Sequence, residues 1–468
     1  MKNIAFTLLL LSNVFVFSQS TFNSESYSVT LGDIETNRFE NDSTANALVI
    51  YEEGNSYVDR GEYDLRTEVK HKIKILKRAG FDKATVTIYL YNNKNNYERA
   101  EDIIATTYNK IDGEVIKTQL EAKDIFKEQY DDNYTLIKFT LPNIKEGSVI
   151  TYSYKLISPF MFKYKGWHFQ DDIPKLYSDY KTSVPANWIY NIKLVGYKPL
   201  DINTSVVEKN CLESSRGASA DCSINHYAMK DIPAFIEEDY TTHKSNYLAR
   251  IEYELKTFQG FDGVINDYTK TWKTVDDELK SEPSIGRQLS KSVKAEDFLD
   301  TDIINQTNAL KKAEAIYRYV QENYTWNEEY HIYKDNTIKD LVTNKSGNVS
   351  SINIFLHNLL ESCEIDVKPV LLSTRNNGFP TKIFPVISDF NYLIVQATID
   401  NKTYLLDATD PFLSFGQIPF RCLNGYGRLL DFKNGSEWMD INPNELSTVQ
   451  YKILLNLDDE NETISGTV

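Results

Sequence analysis

The sequence predicts a multidomain chain: an all-β N-terminal domain, either a sandwich or an open barrel, then an α+β domain and the start of a further β domain. Three observations support this prediction. The first half contains many segments rich in Tyr, Val, Ile and Thr, separated by turn residues. Apolar residues at helical spacing begin only after about residue 264. A length of 468 residues also exceeds what one hydrophobic core normally serves.

The first 18 residues have the pattern of a secretory signal peptide. Lys2 supplies an early positive charge, and the apolar run from Ile4 to Phe17 is too short to span a membrane. Val16 and Ser18 fit the small-residue rule, so cleavage is predicted after Ser18. We therefore expect a periplasmic or secreted protein with no membrane span in the mature chain.

The β domain is predicted over residues 19–260. Its strand-like runs are LRTEVKHKIKIL, KATVTIYLYN, YTLIKFTLP, SVITYSYKL and ARIEYELKTF. A helical linker is predicted over 261–300. The change of period there separates the β domain from the C-terminal half of the chain.

The α+β domain is predicted over residues 301–445. It contains the helical pattern ALKKAEAIYRYVQENY, a helix from Asn348 to Ser362, and the apolar run VKPVLLSTR. Two strands joined by an Asp-Asn-Lys turn end on Asp407. Residues 446–468 predict a strand, an acidic turn and another strand, which we interpret as the start of a truncated β domain.

Charge and cysteines narrow the possible functions. A formal net charge of -16 argues against nucleic acid or an anionic membrane surface as a binding partner, because both require clustered Lys and Arg.

Cys211 and Cys222 flank a polar loop, so a local disulfide is possible in an exported chain. Cys363 and Cys422 are predicted to be small buried residues. The spacing of Cys and His supports no zinc site, and no cofactor is expected.

The α+β part resembles a known family. Three features, in this order, resemble the transglutaminase-like core, a papain-like fold of cross-linking enzymes and bacterial peptidases. They are Gly347-Asn348-Val349 opening a helix, the run PVLLSTR, and FNY and LLDATD around a hairpin. In that family a Gly-x-Cys opens the helix, a His begins the first strand of the hairpin, and an Asp ends the second. The helix dipole favours the thiolate, the His handles its proton, and the Asp orients the imidazole.

Carried over by position, the Cys falls on Val349, the His on Tyr392 and the Asp on Asp407. Valine offers no nucleophile, and a tyrosine with an ordinary pKa of about 10 is a poor base at neutral pH. Asp407 has a second interpretation, since an Asp at a strand end often caps the next turn. The resemblance therefore implies that the triad is degenerate and that no catalytic set is intact.

The first domain resembles a second family. Two of its segments are similar to the DUF3857-type β domain that precedes transglutaminase-like cores in exported Bacteroidetes proteins. They are IKFTLPNIKEGSVITYSYKLISPF and GWHFQDDIPKLYSDY. Pro142 and Gly147 are expected to bound a turn, and Trp167 and Phe169 to be buried anchors. Proteins of this architecture often lack the full triad.

The sequence thus favours an exported, non-catalytic protein whose degenerate cleft binds a peptide, a glycan or an envelope protein, with the β domain as a second candidate binding surface. The predicted cleft residues are Trp326, Val349, Ser350, Asn391, Tyr392 and Asp407. Arg375 is a further candidate, unless it forms a salt bridge at its strand end.

Two alternatives remain open. A hydrolase, peptidase or acyl transferase could use Ser350 and Asp407 with a His supplied from elsewhere in the fold. His357 is two helical turns from Ser350 and out of hydrogen-bond reach, whereas His331 lies upstream in a polar loop. The second alternative is a structural module in which Tyr392 and Trp326 plug the groove.

Overall fold

The structure is a computed structural model of the 468-residue chain. It describes residues 22–214, 217–268, 270–333, 337–443, 448–458, 460 and 462–467. The predicted signal peptide, 1–18, lies outside the described residues. The chain forms two compact units, Met1–Thr269 and Lys270–Val468.

The first unit consists mainly of β-strands. Its described elements are α1 (Leu31–Glu35), β1 (Ala47–Val58), β2 (Leu65–Ile75), β3 (Thr85–Tyr91), β4 (Arg99–Ile111), β5 (Glu114–Gln119), β6 (Ile125–Gln129), β7 (Tyr134–Thr140), β8 (Val149–Ser158), β9 (Trp167–His168), β10 (Lys175–Pro185), β11 (Trp188–Val195), β12 (Ile202–Glu213), β13 (Ser219–Ile232), β14 (Arg250–Gln259) and β15 (Ile265–Asp267). An eight-stranded sheet has the order β12-β13-β10-β1-β2-β8-β4-β5. A three-stranded sheet, β3-β7-β6, and a four-stranded sheet of β11, β14, β15 and β9 complete the unit.

The predicted sequence patterns form these strands. In β3, Val86, Ile88 and Leu90 are buried while the residues between them are exposed, as expected for a half-buried strand. Trp167 and Phe169 are buried, as predicted, and the Trp167 indole N–H donates to Ser178 Oγ at 2.9 Å. Because its one polar atom is hydrogen-bonded, Trp167 can anchor this core without leaving a buried donor unpaired.

A buried ionic network crosses β1, β2 and β10. Glu52 is fully buried, and Lys175 Nζ donates to its Oε1 at 2.7 Å. His71 Nδ1 lies 3.2 Å from Glu52 Oε2, and the Ser178 hydroxyl donates to Glu52 Oε1 at 2.5 Å. Burial by itself would raise the pKa of Glu52, but Lys175 and His71 bring it down to about 2.

Cys211 and Cys222 form a disulfide across β12 and β13, with Cα atoms 5.7 Å apart. The other two cysteines, Cys363 and Cys422, are free thiols and buried. In β12 and β13 the sulfur bridge closes a short loop of the chain, which restricts the unfolded state more than the folded one.

The second unit packs helices against a mainly antiparallel sheet. Its described elements are α2 (Trp272–Ser281), α3 (Gly286–Leu289), α4 (Thr301–Ile304), α5 (Ala309–Asn323), β16 (Thr325–Trp326), α6 (Ile338–Asn344), β17 (Ser346–Gly347), α7 (Val349–Ser362), β18 (Asp366–Leu372), β19 (Tyr392–Ile399), β20 (Lys402–Leu406), β21 (Gly425–Leu429), β22 (Glu437–Ile441), β23 (Leu454–Asp458) and β24 (Thr463–Thr467). The sheet has the order β20-β19-β18-β21-β22, and β23 pairs with β24 in a separate hairpin. The predicted order of an all-β part, an α+β part and further β-strands is confirmed.

Helix α7 is the centre of this unit. Phe355, Leu356 and Leu359 are fully buried and share a hydrophobic core with Leu393 and Val395 of β19. Residues of the segment predicted as a linker enter the same core, since Val275 and Leu279 of α2 belong to it. A helix buried on most of its faces is held by its neighbours, so its N-terminus is fixed against the sheet.

Within the described residues, no helix is long and apolar enough to cross a membrane. The same part of the chain contains no group of three His, Cys, Asp or Glu side chains placed to hold a metal ion. The predicted domain boundaries at 260, 300 and 445 stay predictions.

Candidate functional site

Local sequence places the three triad positions together. Asn348 caps α7, its side chain accepting from Ser351 N–H at 2.9 Å, so the helix begins at Val349. Tyr392 is the first residue of β19, and Asp407 directly follows β20. The hairpin between them turns through Asp400 and Asn401 at φ 49° and 63°, both in the left-handed region that the predicted Asp-Asn turn tolerates.

Gly347 lets the chain enter α7 at close quarters. Strand β16 runs parallel to β17, which pairs Trp326 with Gly347. A Cβ at Gly347 would lie 2.3 Å from Ser351 Oγ and 2.8 Å from Leu341 Cδ1. The glycine is therefore required by contact, and it sets Trp326 beside the start of the helix.

Val349, at the position predicted for a nucleophile, is a packing residue. Its side chain is fully buried in a small core with Tyr392, Ile394 and Cys422. Trp326 packs against the same core. The position thus has an apolar side chain and no group able to attack a carbonyl.

The Tyr392 hydroxyl, at the position predicted for an imidazole, is in contact with Asp407. It donates to Asp407 Oδ2 at 2.7 Å and lies 3.0 Å from Thr409 Oγ1. Arg421 donates to the same hydroxyl through Nε at 3.1 Å and through Nη2 at 3.0 Å. One hydroxyl therefore joins a buried carboxylate to a guanidinium group.

Asp407 is fully buried and well supported. Its Oδ1 accepts from Asn353 Nδ2 at 3.0 Å and from Thr409 N–H at 3.0 Å. Arg421 Nη2 lies 3.8 Å from Oδ2 and provides the opposite charge. The Thr409 contact is the turn cap proposed as the second interpretation of Asp407, so this residue serves both the turn and the network.

Burial determines the protonation of this site. It raises the pKa of Tyr392 far above its ordinary value, and the negative charge of Asp407 raises it further. Burial also raises the pKa of the nearby Cys422 thiol, again with help from Asp407. Tyr392 therefore stays a neutral phenol, and Cys422 stays a thiol, a poor nucleophile.

A loop from Asn327 to Tyr333 lies across the start of α7. The carbonyl oxygen of Glu329 accepts from the indole N–H of Trp326 at 3.1 Å and from the backbone N–H of Val349 at 3.3 Å. The His331 carbonyl accepts from Asn348 Nδ2 at 3.0 Å and from Ser350 Oγ at 3.1 Å. Enzymes hold a reacting carbonyl with two N–H groups that point at its oxygen. Here the N–H groups of Trp326 and Val349 point at a carbonyl from a loop of the same chain.

A cleft of about 360 Å³ lies next to the network. Arg421, Arg375, Asn391 and Tyr330 are among its lining residues. Asn391 is fixed by two hydrogen bonds to Thr374, at 2.8 and 2.9 Å. The cleft thus contains two guanidinium groups, and the residue that leads into β19 is held in its wall by hydrogen bonds.

The predicted site residues separate into two groups. Val349, Tyr392 and Asp407 lie together in the buried network, whereas Asn391 and Arg375 line the cleft. The two remaining predicted residues, Trp326 and Ser350, contact the covering loop through Glu329 and His331. In the described part of the chain the Ser350 hydroxyl has no hydrogen bond to an imidazole nitrogen, and the His357 ring pairs with Asn358 at 2.9 Å.

Sequence reasoning missed Arg421 and Asn353. Asn353 is a polar residue one helical turn after Val349, between the apolar Ile352 and Ile354, and that mismatch was a usable signal. Its side chain bonds Asp407, Leu393 O at 2.9 Å and Ala408 N–H at 2.9 Å, so it joins the helix to the hairpin. Arg421 lies in a short turn after the β19-β20 hairpin and carried no comparable signal.

Comparison with known proteins supports the resemblances. Residues 298–405 match the transglutaminase-like superfamily, and residues 63–211 match DUF3857, a domain of unknown function. A candidate protease from Parabacteroides distasonis is 14% identical, with 84% of this chain and 71% of that chain covered and a TM-score of 0.46. A candidate cysteine protease from Cytophaga hutchinsonii is 8% identical, with 86% and 97% covered and a TM-score of 0.19. No protein with a curated description matches the chain. Both family predictions are confirmed.

Proposed function

We propose that this chain, with its transglutaminase-like core behind a DUF3857 domain, is an exported, non-catalytic protein that binds a peptide, a glycan or an envelope protein. One observation carries the proposal: the Glu329 carbonyl occupies the N–H groups of Trp326 and Val349. A substrate carbonyl at the nucleophile position would have to displace this loop before any reaction. Displacement of the loop would expose only the valine side chain, which contains no nucleophile.

The charges at the site support the same conclusion. A general base has to accept a proton and become positive or neutral during the reaction. Tyr392 is a buried phenol with a raised pKa, and Arg421 holds a positive charge within 3.1 Å of its hydroxyl. A phenol in that environment orders its neighbours and is not suited to accept a proton.

The two alternatives have different support. For a hydrolase or acyl transferase, Ser350 would need a base, yet its hydroxyl donates to the His331 carbonyl. For a structural module, Tyr392 and Trp326 would fill the groove, and the network around Val349 matches that expectation. The neighbouring cleft, however, leaves room for a ligand, so we assign binding to this flank of the former active site.

Export rests on the signal-peptide pattern of residues 1–18. The Cys211–Cys222 disulfide is consistent with an oxidising compartment.

The proposal is tested by chemical labelling of the native mature protein. A fluorophosphonate probe and iodoacetamide are applied, and labelled peptides are identified by mass spectrometry. We expect no label at Ser350 or Cys422 before denaturation, and no turnover of a mixed peptide pool. Turnover that is lost in Ser350→Ala and kept in the matched helix variant Ser362→Ala would refute the proposal and support the hydrolase.

A further inference from the structure

We propose that the cleft lined by Arg375 and Arg421 binds the carboxylate end of a peptide. This inference rests on the proposed function, because it names the ligand of the same groove. It starts from charge, because the described residues lining the cleft include two guanidinium groups and no Asp or Glu. The chain as a whole has a formal charge of -16, so a cationic cleft is contrary to its composition. A guanidinium group recognises a carboxylate through charge-assisted N–H···O bonds.

Both guanidinium groups are held in position by the protein. Arg421 donates to Tyr392 and, through Nη2, to Thr409 Oγ1 at 2.9 Å, while its guanidinium carbon lies 4.6 Å from the centre of the Trp326 ring. These bonds use Nε and Nη2, and among the described residues Arg421 Nη1 has no hydrogen-bond partner. Arg375 donates through Nη1 to Leu423 O at 3.0 Å and lies 4.4 Å from the centre of the Phe420 ring. Groups fixed in advance lose little entropy on binding a ligand.

Asp407 takes none of the hydrogen-bond donors of Arg421. The two groups are 3.8 Å apart, outside hydrogen-bond distance. The oxygens of Asp407 are already bonded to Tyr392, Asn353 and Thr409 N–H. Tyr392 and Thr409 therefore orient the arginine, and its Nη1 can still bind an anion from the cleft.

The remaining walls favour a peptide over other anions. Asn376 lines the cleft with a side-chain amide that can donate and accept, as the backbone of a peptide requires. The Thr374 hydroxyl accepts from Asn391 Nδ2, and each of these two groups keeps a hydrogen that it can donate. A volume of about 360 Å³ is at the small end of ligand pockets, so a chain end fits better than a long internal segment. An acidic sugar shares the carboxylate but lacks the peptide N–H groups that would match the amides.

The experiment measures fluorescence anisotropy with the full mature chain. The probes are a pool of N-terminally labelled tetrapeptides with a free carboxylate, the same pool as C-terminal amides, and a labelled trigalacturonate. We expect the free acids to bind at least about 10-fold more tightly than the amides, the usual ratio for one lost charge-assisted contact of about 1.4 kcal/mol. Arg375→Gln should remove most of that ratio, and Arg375→Lys should restore only part of it.

The matched control is Arg318→Gln, which removes the same charge from an exposed residue of α5. Melting temperatures of all variants show that each is folded. The proposal is overturned if acids and amides bind equally, if the Arg375 and Arg318 variants behave alike, or if trigalacturonate binds and the peptides do not. Turnover of the peptides with a preference for the acids would refute the proposed function and keep the carboxylate assignment. Equal binding without turnover would do the reverse.

Discussion

Replacing Tyr392 by Phe tests whether its hydroxyl holds the network together. The ring stays, so packing against Val349 is preserved, and only the hydroxyl is lost. Asp407 Oδ2 then loses a donor at 2.7 Å, and Arg421 loses the acceptor of two hydrogen bonds. A hydrogen bond to a buried charge contributes about 1.5–3 kcal/mol. We therefore expect the free energy of unfolding of the second unit to fall by about 2–3 kcal/mol.

The measurement is calorimetry of the full chain, with hydrogen exchange of α7 and β19 peptides to assign the transition. For a unit of this size the loss corresponds to roughly 4–12 °C in melting temperature. The control is Tyr426→Phe, which removes a hydroxyl that donates to a neutral acceptor, Pro380 O, at 2.6 Å. That variant should lose about 1 kcal/mol. If Tyr392→Phe costs no more than Tyr426→Phe, Asp407 does not depend on the tyrosine and the reasoning fails.

Two further predictions concern the first unit. Glu52 has a pKa of about 2 against an ordinary 4.5, so its stabilisation is complete above pH 4.5 and is lost as pH falls through 2. Over that window the free energy of unfolding of the wild type should fall by about 3 kcal/mol, a contribution that Glu52→Gln lacks at every pH. Hydrogen exchange of β1 should therefore change less with pH in Glu52→Gln than in the wild type. The control Glu128→Gln, at an exposed residue, should follow the wild type. Replacing Cys211 and Cys222 together by Ala opens a loop with a sequence separation of 11 and should cost about 3 kcal/mol, measured as a lower urea midpoint. Reduction of the wild type should give a similar shift, and an unchanged midpoint in the double variant would show that the disulfide contributes nothing.

Local sequence determined much of this fold, and the reasons are local. Alternation in KATVTIYLYN predicted β3, and helical spacing predicted α5, because each pattern places apolar residues on one face. Asp400 and Asn401 predicted their own turn, because both tolerate positive φ. The helix predicted from Asn348 to Ser362 begins at Val349 in the structure, because the Asn348 side chain caps it.

The composition of the site depended on distant contacts. Arg421 reaches Tyr392 from 29 positions away, and nothing in FRCLN indicates which strand it will approach. The loop over α7 acts through the carbonyls of Glu329 and His331, and every residue has a carbonyl. A contact made by a backbone carbonyl does not depend on residue type. The position of this loop over the start of α7 could therefore not be predicted from the sequence.

Asp407 depends on its present neighbours. A buried carboxylate must keep a donor and a nearby positive charge, or it becomes costly. Tyr392 and Arg421 now provide both. An imidazole at 392 would share this space with the Arg421 guanidinium, whose charge lowers the pKa of a neighbouring histidine. A thiol at 349 would remain under the Glu329 loop. The arginine and the loop therefore determine the surroundings of this site as much as the residues at 349 and 392 do.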